Sequence, residues 1–191
     1  MPRYLPAGAR RDARLMVFVD GENLAIRFGS GLGARPIPPH VLYEPNVAVW
    51  SSWLNVEAGG GVVVRRYYYT SCPGDDQARS GVELRLRAYG IHAPRVFHKP
   101  RGKRAKRVDI SLATDMLTHV HRGNYDVGIL VAGDEDYVPL VEAVKAEGAQ
   151  VAVWFIGNGL SPGLRQSADH FFDLEEVLAE TDSAKLQYIH L

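Results

Sequence analysis

Two continuously apolar runs, Leu15-Met16-Val17-Phe18-Val19 and Val127-Gly128-Ile129-Leu130-Val131, each lead into acidic residues. An apolar run without alternation is what a strand buried on both faces requires, and such strands belong to parallel sheets covered by helices on both sides. Residues 61–69, rich in Val and Tyr, residues 91–98, and residues 151–156 (Val-Ala-Val-Trp-Phe-Ile) predict three more strands. Helical spacing falls between them. Val82, Leu86 and Tyr89 share a face over residues 80–89, with Gly90 as a stop, and Tyr137, Leu140, Val141 and Val144 share one over 136–147, with Gly148 beyond its end. Strands alternating with helices predict an α/β fold, a Rossmann-like three-layer sandwich with a mostly parallel sheet of about five strands. The stretch 29–60 fits this rhythm less easily. It is rich in Gly and Pro up to Pro45, then Val47, Trp50 and Leu54 suggest a helix, so it reads as an insertion near the site or as the first crossover.

Composition sets the outer limits. With 191 residues, 46% of them hydrophobic, the chain has the size of one domain and apolar content enough for a sizeable core. The single cysteine, Cys72, excludes an intrachain disulfide framework and a cysteine-rich zinc site. No apolar run approaches the ~20 residues needed to span a bilayer. The first fourteen residues hold four arginines without an apolar core, so they read as a basic tail rather than a secretory signal. The expected organisation is a tail over 1–14, a domain over 15–178 and an extension over 179–191, in a cytoplasmic protein without a membrane partner. Lys plus Arg and Asp plus Glu both number 22, which argues against a protein that coats nucleic acid through bulk charge.

In doubly wound sheets, ligands bind beyond the carboxyl ends of the strands, where strand order reverses. The residues that follow the two apolar runs are Asp20-Gly21-Glu22-Asn23 and Ala132-Gly133-Asp134-Glu135-Asp136-Tyr137. Acidic clusters on one sheet edge repel unless a cation lies between them, and an oxygen-only donor set suits Mg²⁺ or Mn²⁺. Asp109 opens a predicted helix running to about His121 and supplies a third acid, while Asp115 falls ~120° around that helix. Each acid alone has an ordinary explanation: Asp20 or Asp136 as a helix cap, Asp109 as a complement to its helix dipole. Their joint occurrence is what points to a metal site, with the carboxylates of Asp20, Asp109, Asp134 and Asp136 converging within a few Å.

These segments resemble the NYN domain of the PIN-like nuclease superfamily, and within it the LabA-like group. The resemblance is carried by Val17-Phe18-Val19-Asp20-Gly21-Glu22-Asn23, by Lys106-Arg107-Val108-Asp109 with Asp115, and by Leu130 to Leu140 through Gly133-Asp134-Glu135-Asp136. The stretch from Leu160-Ser161-Pro162-Gly163-Leu164 to Ala168-Asp169-His170-Phe171 resembles that group's closing pattern. The resemblance implies a metal-dependent nuclease, usually acting on RNA, with Asp20, Asp109, Asp134 and Asp136 as metal-binding acids and Asn23 and Asp115 as supporting polar groups. The chain departs from the family at Ala132, where Ser is common, and at Tyr137, where Phe is common. The first removes a hydroxyl that could orient a carboxylate or a water; the second keeps the ring.

Phosphodiester hydrolysis needs an activated water and charge stabilisation, which bound divalent ions supply without a nucleophilic Ser or Cys. The polyanion must also be held. Lys99, Arg101, Lys103, Arg104, Lys106 and Arg107 place six cations in nine positions directly before Asp109, broken by Pro100 and Gly102. Such a loop positions phosphates without reading sequence, and Lys103, Arg104, Lys106 and Arg107 are its candidate contacts, Lys106 foremost. Tyr67, Tyr68, Tyr69 and Trp50 are better explained by core packing than by base stacking. The expected function is therefore a divalent-metal-dependent endoribonuclease on single-stranded RNA, with RNA favoured over DNA. Two alternatives stay open. One is a catalytically weak nucleic-acid-binding module; the other is a Toprim-like or other Rossmann-like phosphohydrolase. A Toprim site would want Glu where Asp20 stands, and a haloacid-dehalogenase-type phosphatase would want Asp where Glu22 stands.

Overall fold

The computed structural model describes residues 13–55, 61–99 and 107–180. Lys103, Arg104 and Lys106 lie outside the described residues, as do most of the predicted tail and the predicted extension. Strand β1 (Arg14–Asp20) runs into α1 (Gly21–Leu32), because the Asp20 carboxylate accepts from Asn23 N–H and caps the helix. A hairpin follows, β2 (Val41–Glu44) and β3 (Ala48–Ser51), then β4 (Val62–Cys72), α2 (Asp76–Ala88) and β5 (Ala93–His98). The second half comprises α3 (Arg107–His121), β6 (Val127–Val131), α4 (Val138–Ala146), β7 (Gln150–Phe155), α5 (Pro162–Ser167), β8 (His170–Asp173) and α6 (Glu175–Leu178).

The main sheet has six strands in the order β5-β4-β1-β6-β7-β8, all paired in parallel. One face packs against α1, the hairpin, α2 and α6 through residues such as Leu24, Phe28, Trp50, Leu86 and Val177. The other packs against α3, α4 and α5 through Leu112, Met116, Val141 and Leu164. Side chains of β1 alternate between the two: Leu15, Val17 and Val19 join the first core, Met16 and Phe18 the second. The chain builds outward from β1 to β5 on one side, then returns to β6 on the other. Strand order thus reverses between β1 and β6.

The sheet has one strand more than expected, the short β8. A second correction concerns residues 47–54, which form β3 and a 3₁₀ turn (Ser52–Asn55) rather than a helix. The cause is the turn before them. Asn46 has φ 57°, and Val47 N–H donates to Glu44 O at 3.0 Å, so Pro45-Asn46 is the middle of a β-turn that folds the chain back on itself. Tyr68 holds this hairpin to the sheet: its hydroxyl donates to Val49 O at 3.0 Å and accepts from Val49 N at 2.9 Å. Helix α2 also starts a turn earlier than predicted, capped by Asp75, which accepts from Ala78 N–H at 2.9 Å.

Candidate active site

The switch between β1 and β6 carries the acids. Asp20 is the last residue of β1, and Ala132-Gly133-Asp134 follows β6, its hydrogen-bonded neighbour. Asp109 lies in the first turn of α3, where the helix dipole favours a negative charge. Asp20, Glu22, Asn23, Ile26, Val108, Asp109 and Asp134 line one cleft at this edge. Asp20, at 3% exposure, forms its floor, while Asp109 and Asp134 are exposed at its mouth.

Glycines set how closely these loops approach the sheet. A Cβ on Gly133 would lie 2.2 Å from Cε1 of Phe155, and one on Gly21 would lie 2.0 Å from Cε1 of Tyr68. The residue beside each of these two acids therefore has to be glycine for the aromatic ring to lie against the turn.

Four of the predicted residues behave differently from one another. Asn23 is a brace: its Oδ1 accepts from Gly133 N–H at 3.0 Å and ties the start of α1 to the turn that carries Asp134. Asp136 is not brought to the cleft. Residues Glu135–Tyr137 form a 3₁₀ turn, three residues per turn, so Asp134 and the buried Tyr137 share a face and Asp136 points elsewhere, exposed. Asp115 accepts from the Tyr69 hydroxyl at 2.8 Å and is not a cleft wall, since six residues along a helix separate it from Asp109 by ~9 Å. Arg107, the first residue of α3, is exposed.

Three groups at the site carry more than their sequence positions announced. Glu22, two residues past Asp20, accepts from Ser71 Oγ at 2.7 Å and is ion-paired to Lys99, so both of its oxygens are engaged and a cation stands beside the acids. Tyr137 is the third. Its hydroxyl donates to Asp20 Oδ2 at 2.9 Å and lies 3.4 Å from Asp109 Oδ1. Tyr67, Tyr68, Tyr69 and Trp50 are all buried and so present no ring face for base stacking.

Burial pushes the Asp20 carboxyl up to about 7, opposed by the hydrogen bonds from Asn23 and Tyr137 and reinforced by the negative Asp109 and Asp134. Burial beside the same carboxylates pushes the Tyr137 phenol up as well, which keeps it a donor. The cleft thus concentrates negative potential that an oxygen-preferring cation would relieve. Its donors, three Asp carboxylates with an amide nearby, have the chemistry for Mg²⁺ or Mn²⁺. Among the described residues, however, no three His, Cys, Asp or Glu side chains stand as a formed metal-ligand set.

The family model of the NYN domain matches residues 14–175, most of the chain. The chain belongs to the NYN domain family. The NYN match takes in the cleft acids Asp20, Glu22, Asp109 and Asp134 together with Asn23, Lys99 and Tyr137. The chain is similar to the low amplitude and bright protein LabA of Synechococcus elongatus, at 24% identity over 180 residues that cover 88% of each chain. Its fold is similar to the crystal structure of a protein of unknown function from Vibrio parahaemolyticus, with a TM-score of 0.64 and 20% identity, covering 90% of this chain and 99% of that one. A NYN domain has a nuclease-like fold, in agreement with the six-stranded parallel sheet and its helical layers. Among the described residues, no helix is long and apolar enough to cross a membrane.

Proposed function

We propose that this NYN domain is a divalent-metal-dependent nuclease that hydrolyses phosphodiester bonds, with single-stranded RNA as its substrate. The observation that carries the reading is the meeting of Asp20, Asp109 and Asp134 in one cleft at the switch point, with Asp20 buried and its carboxyl pushed up to about 7. Asp20, Asp109 and Asp134 would hold Mg²⁺ or Mn²⁺. When bound, such an ion acidifies water and neutralises charge on the phosphoryl oxygens.

The chain's own residues then have separate tasks. Asp20, fixed by its cap bond to Asn23 N–H, presents a carboxylate whose ionisation a cation favours. Asn23 fixes the Gly133-Asp134 turn. Lys99, held by Glu22, places positive charge beside the acids, and the basic residues that follow it in the sequence, up to Arg107, are the candidate contacts for the phosphate chain. Ser71 and Cys72 are buried, so neither presents a nucleophile to the cleft.

A second reading is favoured by one specific observation. The Tyr137 hydroxyl lies between Asp20 and Asp109, and the acids are not preset as a ligand group, which suits a nucleic-acid-binding module of weak catalytic power. Incubation with single- and double-stranded RNA and DNA under Mg²⁺, Mn²⁺ or EDTA separates the two. The nuclease reading expects Mn²⁺- or Mg²⁺-dependent cleavage of single-stranded RNA that is lost in Asp20→Asn and Asp134→Asn. RNA bound but left equally intact by the wild type and both variants overturns it.

A further inference from the structure

The space between the Asp20 and Asp109 carboxylates is already occupied by a group of the protein itself. The Tyr137 ring, 4% exposed, packs in the core under α3 and α4, and its hydroxyl reaches the cleft floor. A phenol carries one proton. That proton is given to Asp20 Oδ2 at 2.9 Å, and the hydroxyl is within 3.4 Å of Asp109 Oδ1, so one neutral group bridges two acids. The other oxygen of Asp20 accepts from Asn23 N–H at 3.1 Å. Both oxygens of the buried acid are therefore engaged by the protein before any cation arrives.

We propose that the Tyr137 hydroxyl is a competitor for the cation position: it holds Asp20 and Asp109 together in the metal-free protein and has to yield those carboxylates when a divalent ion binds. Tyr137 is thus a positioning residue that sets how tightly the site takes a metal. This rests on the reading of Asp20, Asp109 and Asp134 as the metal-holding acids. The physical balance has a definite sign. Without the hydroxyl, the metal-free site loses this bridge and the buried Asp20 loses a hydrogen-bond donor beside the negative Asp109, which raises the energy of the empty state. The metal-bound state loses nothing comparable, since the ion then supplies the compensation. Removal of the hydroxyl therefore weakens the metal-free fold and tightens metal binding, whereas a merely structural contact would lower both stability and affinity.

The test is the full chain with Tyr137→Phe, which retains the buried ring, measured with the metal alone. Mn²⁺ binding is followed by calorimetry and thermal unfolding is recorded in EDTA and in saturating Mn²⁺. The inference expects Tyr137→Phe to melt below wild type in EDTA, to recover more on Mn²⁺ addition, and to bind Mn²⁺ on the order of tenfold tighter, the equivalent of one charged-group hydrogen bond. Equal or weaker Mn²⁺ binding in Tyr137→Phe overturns the inference. If wild type nevertheless cleaves RNA with Mn²⁺, the nuclease reading survives that failure. If Tyr137→Phe binds more tightly and neither protein cleaves, the inference stands and the nuclease reading falls. If neither protein binds Mn²⁺, both fall.

Discussion

Asn23 Oδ1 accepts a hydrogen bond from Gly133 N–H at 3.0 Å, joining residues 110 positions apart in the chain. Because Asn23 opens α1 and Gly133 precedes Asp134, this bond fixes the distance between the acid that ends β1 and the acid that follows β6. Asn23→Ala leaves the buried Gly133 N–H without its partner, at a cost of about 1–2 kcal/mol. For a domain of this size that is a fall in melting temperature of roughly 2–8 °C. Cleavage of RNA is expected to fall further than stability does, and Asn23→Asp, which keeps an acceptor, to recover most of the melting temperature. Thermal unfolding and initial cleavage rates on the same preparations check this.

Lys99 and Glu22 form an ion pair at the cleft wall, with side-chain exposures of 28% and 15%. Removing the cation leaves Glu22 as an added negative charge beside Asp20. Lys99→Ala is expected to move two affinities in opposite directions, weakening single-stranded RNA binding and tightening Mn²⁺ binding. The salt dependence of RNA binding should become shallower by about 0.7, the slope for one phosphate contact on a single strand. Fluorescence anisotropy across a salt series, with a parallel Mn²⁺ titration, measures both.

Asp20 also makes metal-free stability depend on pH. Its carboxyl is raised from an ordinary value near 3.8 to about 7, first by burial. The folded state therefore holds a proton that the unfolded chain releases more readily. Its contribution is fully present below about 4 and is lost as pH rises through about 7. In EDTA, the melting temperature of wild type relative to Asp20→Asn is expected to be higher at pH 5 than at pH 8. Saturating Mn²⁺ should remove the deficit at pH 8, because a bound cation favours the ionised form. Melting curves at the two pH values, with and without metal, test the sign.

How far the sequence reveals this arrangement differs from one part to another. The apolar runs at 15–19, 127–131 and 151–156 announce central parallel strands because a strand buried on both faces has no room for alternation. Asp20, Asp109 and Asp134 are legible for a related reason, since each stands where a strand ends or a helix begins at the same edge. The hairpin is hidden by coincidence: Val47, Trp50 and Leu54 have helical spacing, while the decisive signal is the pair Pro45-Asn46, which turns the chain. Asp136 looks equivalent to Asp134 in sequence, and only the 3₁₀ turn separates them. The phenol of Tyr137 is the least legible. As a sequence position it keeps the ring, but its significance lies in the hydroxyl that reaches across to Asp20, a contact between residues 117 apart.

The cleft between β1 and β6 is expected to take a divalent cation on Asp20, Asp109 and Asp134. Anomalous scattering from a crystal of the protein soaked in Mn²⁺ tests it most directly. A peak is expected in contact with the Asp20 carboxylate and with Asp109, Asp134 or both. A peak on Asp136 away from the cleft, or none within reach of Asp20, contradicts it.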